Sequence, residues 1–229
     1  EGIQLELDGR YAAMFSYKMK NYVLLDARGK LLIKGSGLRS RGIELFQRLW
    51  MEEMFRLLLT GPGREALQEA QAAEPRPEDF LALVQKLERR FPSALAAAAA
   101  EQAILRRKAR AKFREADRMF FATEALEQAT AQPVAEYRAA RFASLAPVFD
   151  LTCGLGGDAL ALAQVAPVIA SDIDRVRLLL LAANASALGP AHRVTPVLAD
   201  ARRPPWGTLK GAGAFLDPGR RQAGRRARS

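Results

Sequence analysis

Asp150-Leu151-Thr152-Cys153-Gly154-Leu155-Gly156-Gly157-Asp158 decides the fold. The apolar residues Val148 and Phe149 lead into it and the helical pattern Asp158 to Val165 leaves it, so it reads as a buried strand, a glycine turn and a helix. Gly154, Gly156 and Gly157 allow positive φ and let a ligand approach the backbone closely at a helix N-terminus. Outward from this turn the texture repeats. VIASDID, VTPVLAD and AFLDPG are short apolar runs that end in small or acidic residues, with a second helical stretch at Arg175 to Leu188. Strand, helix, strand, helix, strand, connection, strand is the order of an α/β, Rossmann-like parallel sheet. In such sheets ligands bind at the carboxyl ends of the strands. Asp150, Asp172, Asp200 and Asp217 all fall at those ends. Each alone could be a turn or helix-cap carboxylate; as a set they point to a site. Asp172, with Asp174 close behind it, stands where a carboxylate accepts the ribose hydroxyls of a nucleoside cofactor.

The rest of the chain divides by texture. Residues 3–34 alternate in strand fashion around Asp8-Gly9 and Arg28-Gly29, which predicts a small antiparallel meander. Gly42 to Leu59 has a helical period, stopped at Thr60-Gly61-Pro62-Gly63. From there to Phe142 the pattern is helical, over Arg64 to Ala73, Pro77 to Arg90, Pro92 to Phe113, and Thr123 to Phe142 with a break at Pro133. Leu95 to Ala100, Ile104 and Leu105 are expected to face a core, with Arg106, Arg107, Lys108 and Arg110 on or beside the solvated face. Met119-Phe120-Phe121 is expected in the core, with a cofactor lid as the alternative. Thr130 and Gln128 are candidates for closing a cofactor pocket. The expected domains are 1–60 (a small α+β fragment), 61–143 (helical) and 144–229 (Rossmann-like).

With 49% hydrophobic and 26% charged residues over 229 positions, a packed globular chain is expected. One cysteine, Cys153, excludes an intrachain disulfide and suits a reducing cytoplasm; one histidine, His192, argues against most metal sites and against Ser-His or Cys-His catalysis. Every apolar run is broken by charge before the roughly 20 residues of a membrane helix, so no membrane partner is expected. The chain opens in mid-pattern without methionine, and an incomplete chain is expected. The net charge is +10, and residues 201–229 carry eight basic side chains against Asp217. That end reads either as a solvated basic tail or as a phosphate-contacting surface for nucleic acid.

Several motifs carry a family resemblance. Arg110-Ala111-Lys112-Phe113, Asp117-Arg118-Met119-Phe120-Phe121, Glu124-Ala125-Leu126-Glu127-Gln128-Ala129-Thr130, Tyr137-Arg138-Ala139-Ala140-Arg141-Phe142 and the nonapeptide Asp150 to Asp158 resemble the class I S-adenosylmethionine-dependent methyltransferases. The likeness is greatest to a bacterial group whose complete members carry a THUMP-like domain, and it spans residues from about 61 to 229. It implies S-adenosyl-L-methionine as cofactor, with Gly154, Gly156 and Gly157, and Cys153 at the start of their loop, under its methionine part. Asp150 would lie near the amino group, Asp172 or Asp174 on the ribose and Asp200 near the adenine amine. Asp217-Pro218 would line the methyl-acceptor pocket. The aromatic that stacks on a flipped base in amino-directed relatives is replaced by Gly219-Arg220-Arg221, where Arg220 and Arg221 suit a phosphate. The resemblance implies an acceptor in RNA or another nucleic acid. Only four strands of the larger family sheet are countable, so this chain alone is expected to be inactive.

Tyr17-Lys18-Met19-Lys20-Asn21-Tyr22-Val23-Leu24-Leu25, with Gly29-Lys30 and Ile33 to Arg41, looks like the late palm and early thumb of a family B DNA polymerase. That likeness implies duplex contact by Lys18, Lys20 and Tyr22, without the metal-binding aspartates of nucleotidyl transfer. Two other readings compete with a methyltransferase. One is a DNA-binding module using Lys18, Lys20, Arg39 and Arg41. The other is half of an NAD-type dehydrogenase, against which the loop reads Gly-x-Gly-Gly rather than Gly-x-Gly-x-x-Gly.

Overall fold

In a computed structural model, the described residues are 3–7, 11–16, 21–26, 31–36, 51–52, 54–207, 210–217, 221–222 and 225–226. The chain forms two compact units, Glu1–Glu101 and Gln102–Ser229.

In the first unit, β1 (Ile3–Leu7), β2 (Tyr11–Ser16), β3 (Asn21–Asp26) and β4 (Leu31–Ser36) pair antiparallel in sequential order. This is the meander expected from the alternation. Helical residues 54–58 precede α1 (Gly61–Ala72). That helix begins three residues before the expected Arg64, because Thr60 Oγ1 accepts the Gly63 N–H at 3.2 Å and so caps it. Gly63 is required by contact: a Cβ there would lie 2.0 Å from the Leu57 carbonyl oxygen. α2 (Phe80–Leu87) follows a 3₁₀ turn at Pro77–Asp79, and Leu83, Val84 and Leu87 form its buried side. α3 (Ser93–Ala109) comes next, and the boundary between the units, after Glu101, falls within it.

The second unit holds α4 (Thr123–Gln128), α5 (Gln132–Ala139), β5 (Val148–Asp150), α6 (Gly157–Val165), β6 (Val168–Asp172), α7 (Arg175–Leu188), β7 (Val194–Leu198) and β8 (Gly213–Phe215). A two-stranded pair, β9 (Arg221–Gln222) with β10 (Arg225–Arg226), follows. Strands β5 to β8 form one parallel sheet in the order β7-β6-β5-β8. The chain moves outward from β5 to β7 and then returns to the other side of β5. β5 and β8 therefore flank the point where strand order reverses, which is where α/β sheets open a ligand crevice.

Local sequence explains the parts. Val148 to Asp150 is buried throughout, as an inner parallel strand must be. Asp174 caps α7 through the Val176 N–H at 2.9 Å, and Gly189, at φ 103°, ends it. The expected helical break comes just before Pro133, at residues 129–131 between α4 and α5, and the proline lies in the first turn of α5. Arg106 is a correction: instead of lying near solvent it is 6% exposed, donates from Nε to the Met119 carbonyl at 2.7 Å and covers the Phe120 ring at 4.9 Å. Burial lowers its pKa to about 10. Met119, Phe120 and Phe121 are core residues, their backbone held by side chains. Gln102 bonds both the N–H and the carbonyl of Phe121, and Asn184 does the same for Phe120. Among the described residues no helix is long and apolar enough to cross a membrane.

Candidate active site at the strand-order reversal

The glycine turn is built by its neighbours. The Cys153 N–H extends the sheet ladder to the Ser171 carbonyl at 2.9 Å, after which Gly154 (φ 54°) and Gly156 (φ 99°) take left-handed backbone. Gly156 is the N-cap of α6, and a Cβ on it would sit 2.6 Å from Leu181 Cδ1. A Cβ on Gly157 would sit 3.5 Å from the Phe113 ring. At Gly154 a Cβ would meet nothing within 4 Å, so that side of the loop is open. From below, Asn184 Nδ2 donates to the Leu155 carbonyl at 3.0 Å, which ties the turn to Phe120 through one side chain.

Asp172 holds the same turn from the side. Its Oδ2 accepts the Gly154 N–H at 3.1 Å and its Oδ1 the Asp174 N–H at 3.0 Å, with Arg177 Nη1 3.7 Å away. Asp150 is 1% exposed; its Oδ1 accepts the Thr152 N–H at 3.2 Å, and its Oδ2 is buried without a hydrogen-bond partner. Burial raises its pKa to about 7, against the Thr152 hydrogen bond, and Asp158, Asp172 and Asp217 push it the same way. Burial also raises the Cys153 thiol well above its usual value, so that position is filled by a small neutral side chain.

Asp217 lies just beyond β8, with its N–H donating to Thr152 Oγ1 at 3.1 Å. Asp150 and Asp217 thus meet through Thr152. Asp217 Oδ2 accepts from Arg138 Nη1 at 2.7 Å, and the same guanidinium lies 3.6 Å from Asp158 Oδ1. Burial raises the Asp158 pKa, opposed by the Thr130 hydroxyl and Arg138. The sequence reading assigned no role to Arg138, Asp158 or Thr152. Asp158 could have been found as the acidic residue in the first turn after the glycine loop; Arg138, distant in sequence, carries no such signal.

Other expected residues stand apart from this cluster. Asp174 is the cap of α7. Asp200 is clasped by Arg202, with Nη2 2.7 Å from Oδ2, which lowers its pKa to about 2. Thr130 joins the cluster, its Oγ1 accepting from Arg138 at 3.4 Å, whereas Gln128 Nε2 reaches Glu124 at 3.5 Å. His192 is exposed in a 3₁₀ turn. Tyr22 belongs to β3 and Arg221 to β9, and Lys18, Lys20, Pro218 and Arg220 lie outside the described residues.

Residues 146–212, which include β5 to β7 and the glycine turn, match the family model of the RNA cap guanine-N2 methyltransferases. That stretch is methyltransferase-like. Residues 52–109 match a model described as a domain of unknown function. The chain is 39% identical over 133 residues to an uncharacterized S-adenosylmethionine-dependent methyltransferase of Mycobacterium tuberculosis strain CDC 1551 / Oshkosh, covering 55% of this chain and 36% of the relative. The corresponding protein of strain ATCC 25618 / H37Rv gives the same 39% identity and the same 55% and 36% coverage. The chain therefore spans about a third of the length of the curated relatives it matches. The crystal structure of a putative methyltransferase from Porphyromonas gingivalis W83 is 20% identical with a TM-score of 0.40, covering 62% of this chain and 36% of the other.

Proposed function

We propose that the second unit binds S-adenosyl-L-methionine and serves methyl transfer to RNA. The observation that carries this reading is the buried, unpartnered Oδ2 of Asp150 beside an open glycine turn at the strand-order reversal. An orphaned carboxylate oxygen there suits an ammonium group, whose hydrogen bonds and charge would compensate its burial. Gly154, Gly156 and Gly157, with Cys153 at their start, would cradle the amino-acid part, and Asp172 would take the ribose. Asp174 stands behind it, and Asp200, its charge already matched by Arg202, would offer the adenine amine a hydrogen-bond acceptor rather than net charge. When bound, the cofactor supplies an intrinsically activated methyl group, so the protein's task is alignment and charge placement.

Asp217 and Pro218 form the acceptor side of the proposal. Asp217, held by Arg138 and Thr152, can accept a hydrogen bond from an exocyclic base amine and orient it. The description of the matched family model supports RNA as the acceptor. Phosphate contact is assigned to Arg220 and Arg221 and, in the polymerase-like segment, to Lys18, Lys20 and Tyr22. The division at residues 60 and 143 and the THUMP-like affiliation belong to the same proposal.

Calorimetric titration of the chain with S-adenosylhomocysteine tests the cofactor reading. Saturable binding that Asp150→Ala abolishes is expected; a folded chain that binds nothing overturns it. For the nucleic-acid part, fluorescence anisotropy on structured RNA over a salt series should give a log-log slope of roughly −0.7 to −0.9 per phosphate neutralised. Removal of Arg220 to Ser229 should flatten that slope, and an unchanged slope would assign those arginines to a solvated surface.

A further inference from the structure

One guanidinium is shared by two carboxylates in the crevice. Arg138, on α5, is 2.7 Å from Asp217 Oδ2 at the end of β8, 3.6 Å from Asp158 Oδ1 in the first turn of α6 and 3.4 Å from Thr130 Oγ1 between α4 and α5. Its partners thus come from three separate parts of the unit, and one side chain fixes their spacing. Asp158 Oδ1 is buried without a hydrogen-bond partner, so it relies on the fields of the cation and of the Thr130 hydroxyl. The charged groups facing one another from the surrounding elements are Asp150 on β5, Asp158 on α6, Asp172 on β6, Asp217 after β8, Arg177 on α7 and Arg138 on α5. Arg177 lies 3.7 Å from Asp172, which leaves Arg138 as the cation in contact with the Asp158 and Asp217 side of the cluster among the described residues.

We propose, resting on the cofactor reading above, that Arg138 is a positioning residue whose charge offsets Asp158 and thereby sets the pH range over which the crevice accepts a cationic ligand group. Carboxylates gathered in a poorly solvated space take up a proton unless a cation offsets them. Asp217 is coupled to Asp150 through Thr152, which accepts from the Asp217 N–H and donates to Asp150 Oδ1. Loss of Arg138 is therefore felt at the orphaned oxygen as well as at its own partners. At high pH, with every carboxylate ionised, the variant site is more negative and holds a cation at least as well. As pH falls it protonates earlier and loses the cation sooner.

The test is calorimetric titration of the full chain with S-adenosylhomocysteine, whose amino-acid part is cationic, between pH 5.5 and 8.5. Arg138→Met keeps the aliphatic bulk and removes the charge; Arg138→Lys keeps the charge. The Met variant should lose roughly tenfold more affinity than the parent across that range, its midpoint displaced upward by about one pH unit, and Lys should restore most of the parental profile. Profiles with the same midpoint in parent and Met variant, whether coincident or uniformly displaced in affinity, overturn the proposal, since a merely structural role would lower affinity equally at every pH. Carboxyl-carbon NMR of the ligand-free chain separates the two readings. An upward-shifted titration of Asp158 in Arg138→Met, with no ligand bound by the parent, upholds the role of Arg138 and overturns the cofactor assignment. An unshifted titration overturns the role of Arg138 itself.

Discussion

Asp172 Oδ2 accepts the Gly154 N–H at 3.1 Å, so the end of β6 and the glycine turn after β5 are fastened by one hydrogen bond between residues 18 apart. With its other oxygen on the Asp174 N–H, the carboxylate assembles the turn before any ligand is present. Asp172→Ala leaves two backbone donors without their acceptor and should destabilise the unit by about 1 to 3 kcal/mol, in addition to lost cofactor affinity. Urea titration reads the first effect and calorimetry the second. Unchanged stability would show that the turn is held by Asn184 and the sheet ladder alone.

Gly156→Ala meets two obstacles, a left-handed φ of 99° and Leu181 Cδ1 2.6 Å from the new Cβ. We expect a loss of about 2 to 4 kcal/mol, of which roughly 1 kcal/mol comes from the backbone and the rest from overpacking. In the double variant with Leu181→Ala the overpacking part should vanish, so the two costs combine to less than their total. Strict additivity by chemical denaturation would show that Leu181 yields freely.

Asn184 is fully buried and bonds three backbone groups, the Phe120 N–H, the Phe120 carbonyl and the Leu155 carbonyl. Asn184→Leu keeps the volume but strands all three, and should cost about 3 kcal/mol or more. A loss below 1 kcal/mol, on the order of a single net hydrogen bond, would mean that water takes the place of the amide. Thermal or urea unfolding decides it.

Asp150 makes stability pH-dependent. Its folded pKa is raised from 3.8 to about 7, so the native state binds this proton more tightly than the unfolded chain does. The sign follows: the contribution is full below about pH 4 and is lost as pH rises through about 7. Its upper bound is about 4 kcal/mol, at roughly 1.4 kcal/mol per pH unit. Asp150→Asn removes the titration, and the fall in unfolding free energy from pH 4 to 7 should flatten. An equal slope in parent and variant would place the raised pKa elsewhere.

The sequence by itself determined the layered part of this protein. Period-two alternation gave the meander β1 to β4, and the apolar runs ending in Asp150, Asp172, Asp200 and Asp217 gave the succession of strands and helices along the chain; the signature is unbroken in β5 and β6, which are buried on both faces. The glycine turn was legible for a local reason, since positive φ at Gly154 and Gly156 is a property of single residues. Tertiary structure alone decided how the carboxylates divide. Asp174 and Asp200 are spent locally, on Val176 and Arg202, while Asp150, Asp158 and Asp217 converge on Thr152 and Arg138. Arg106 is buried against Phe120 although its neighbours in sequence are basic. A charged side chain's partner is set by which distant elements the sheet order brings within a few ångströms, and residues 138 and 217 meet only because the chain returns to the far side of β5 to form β8.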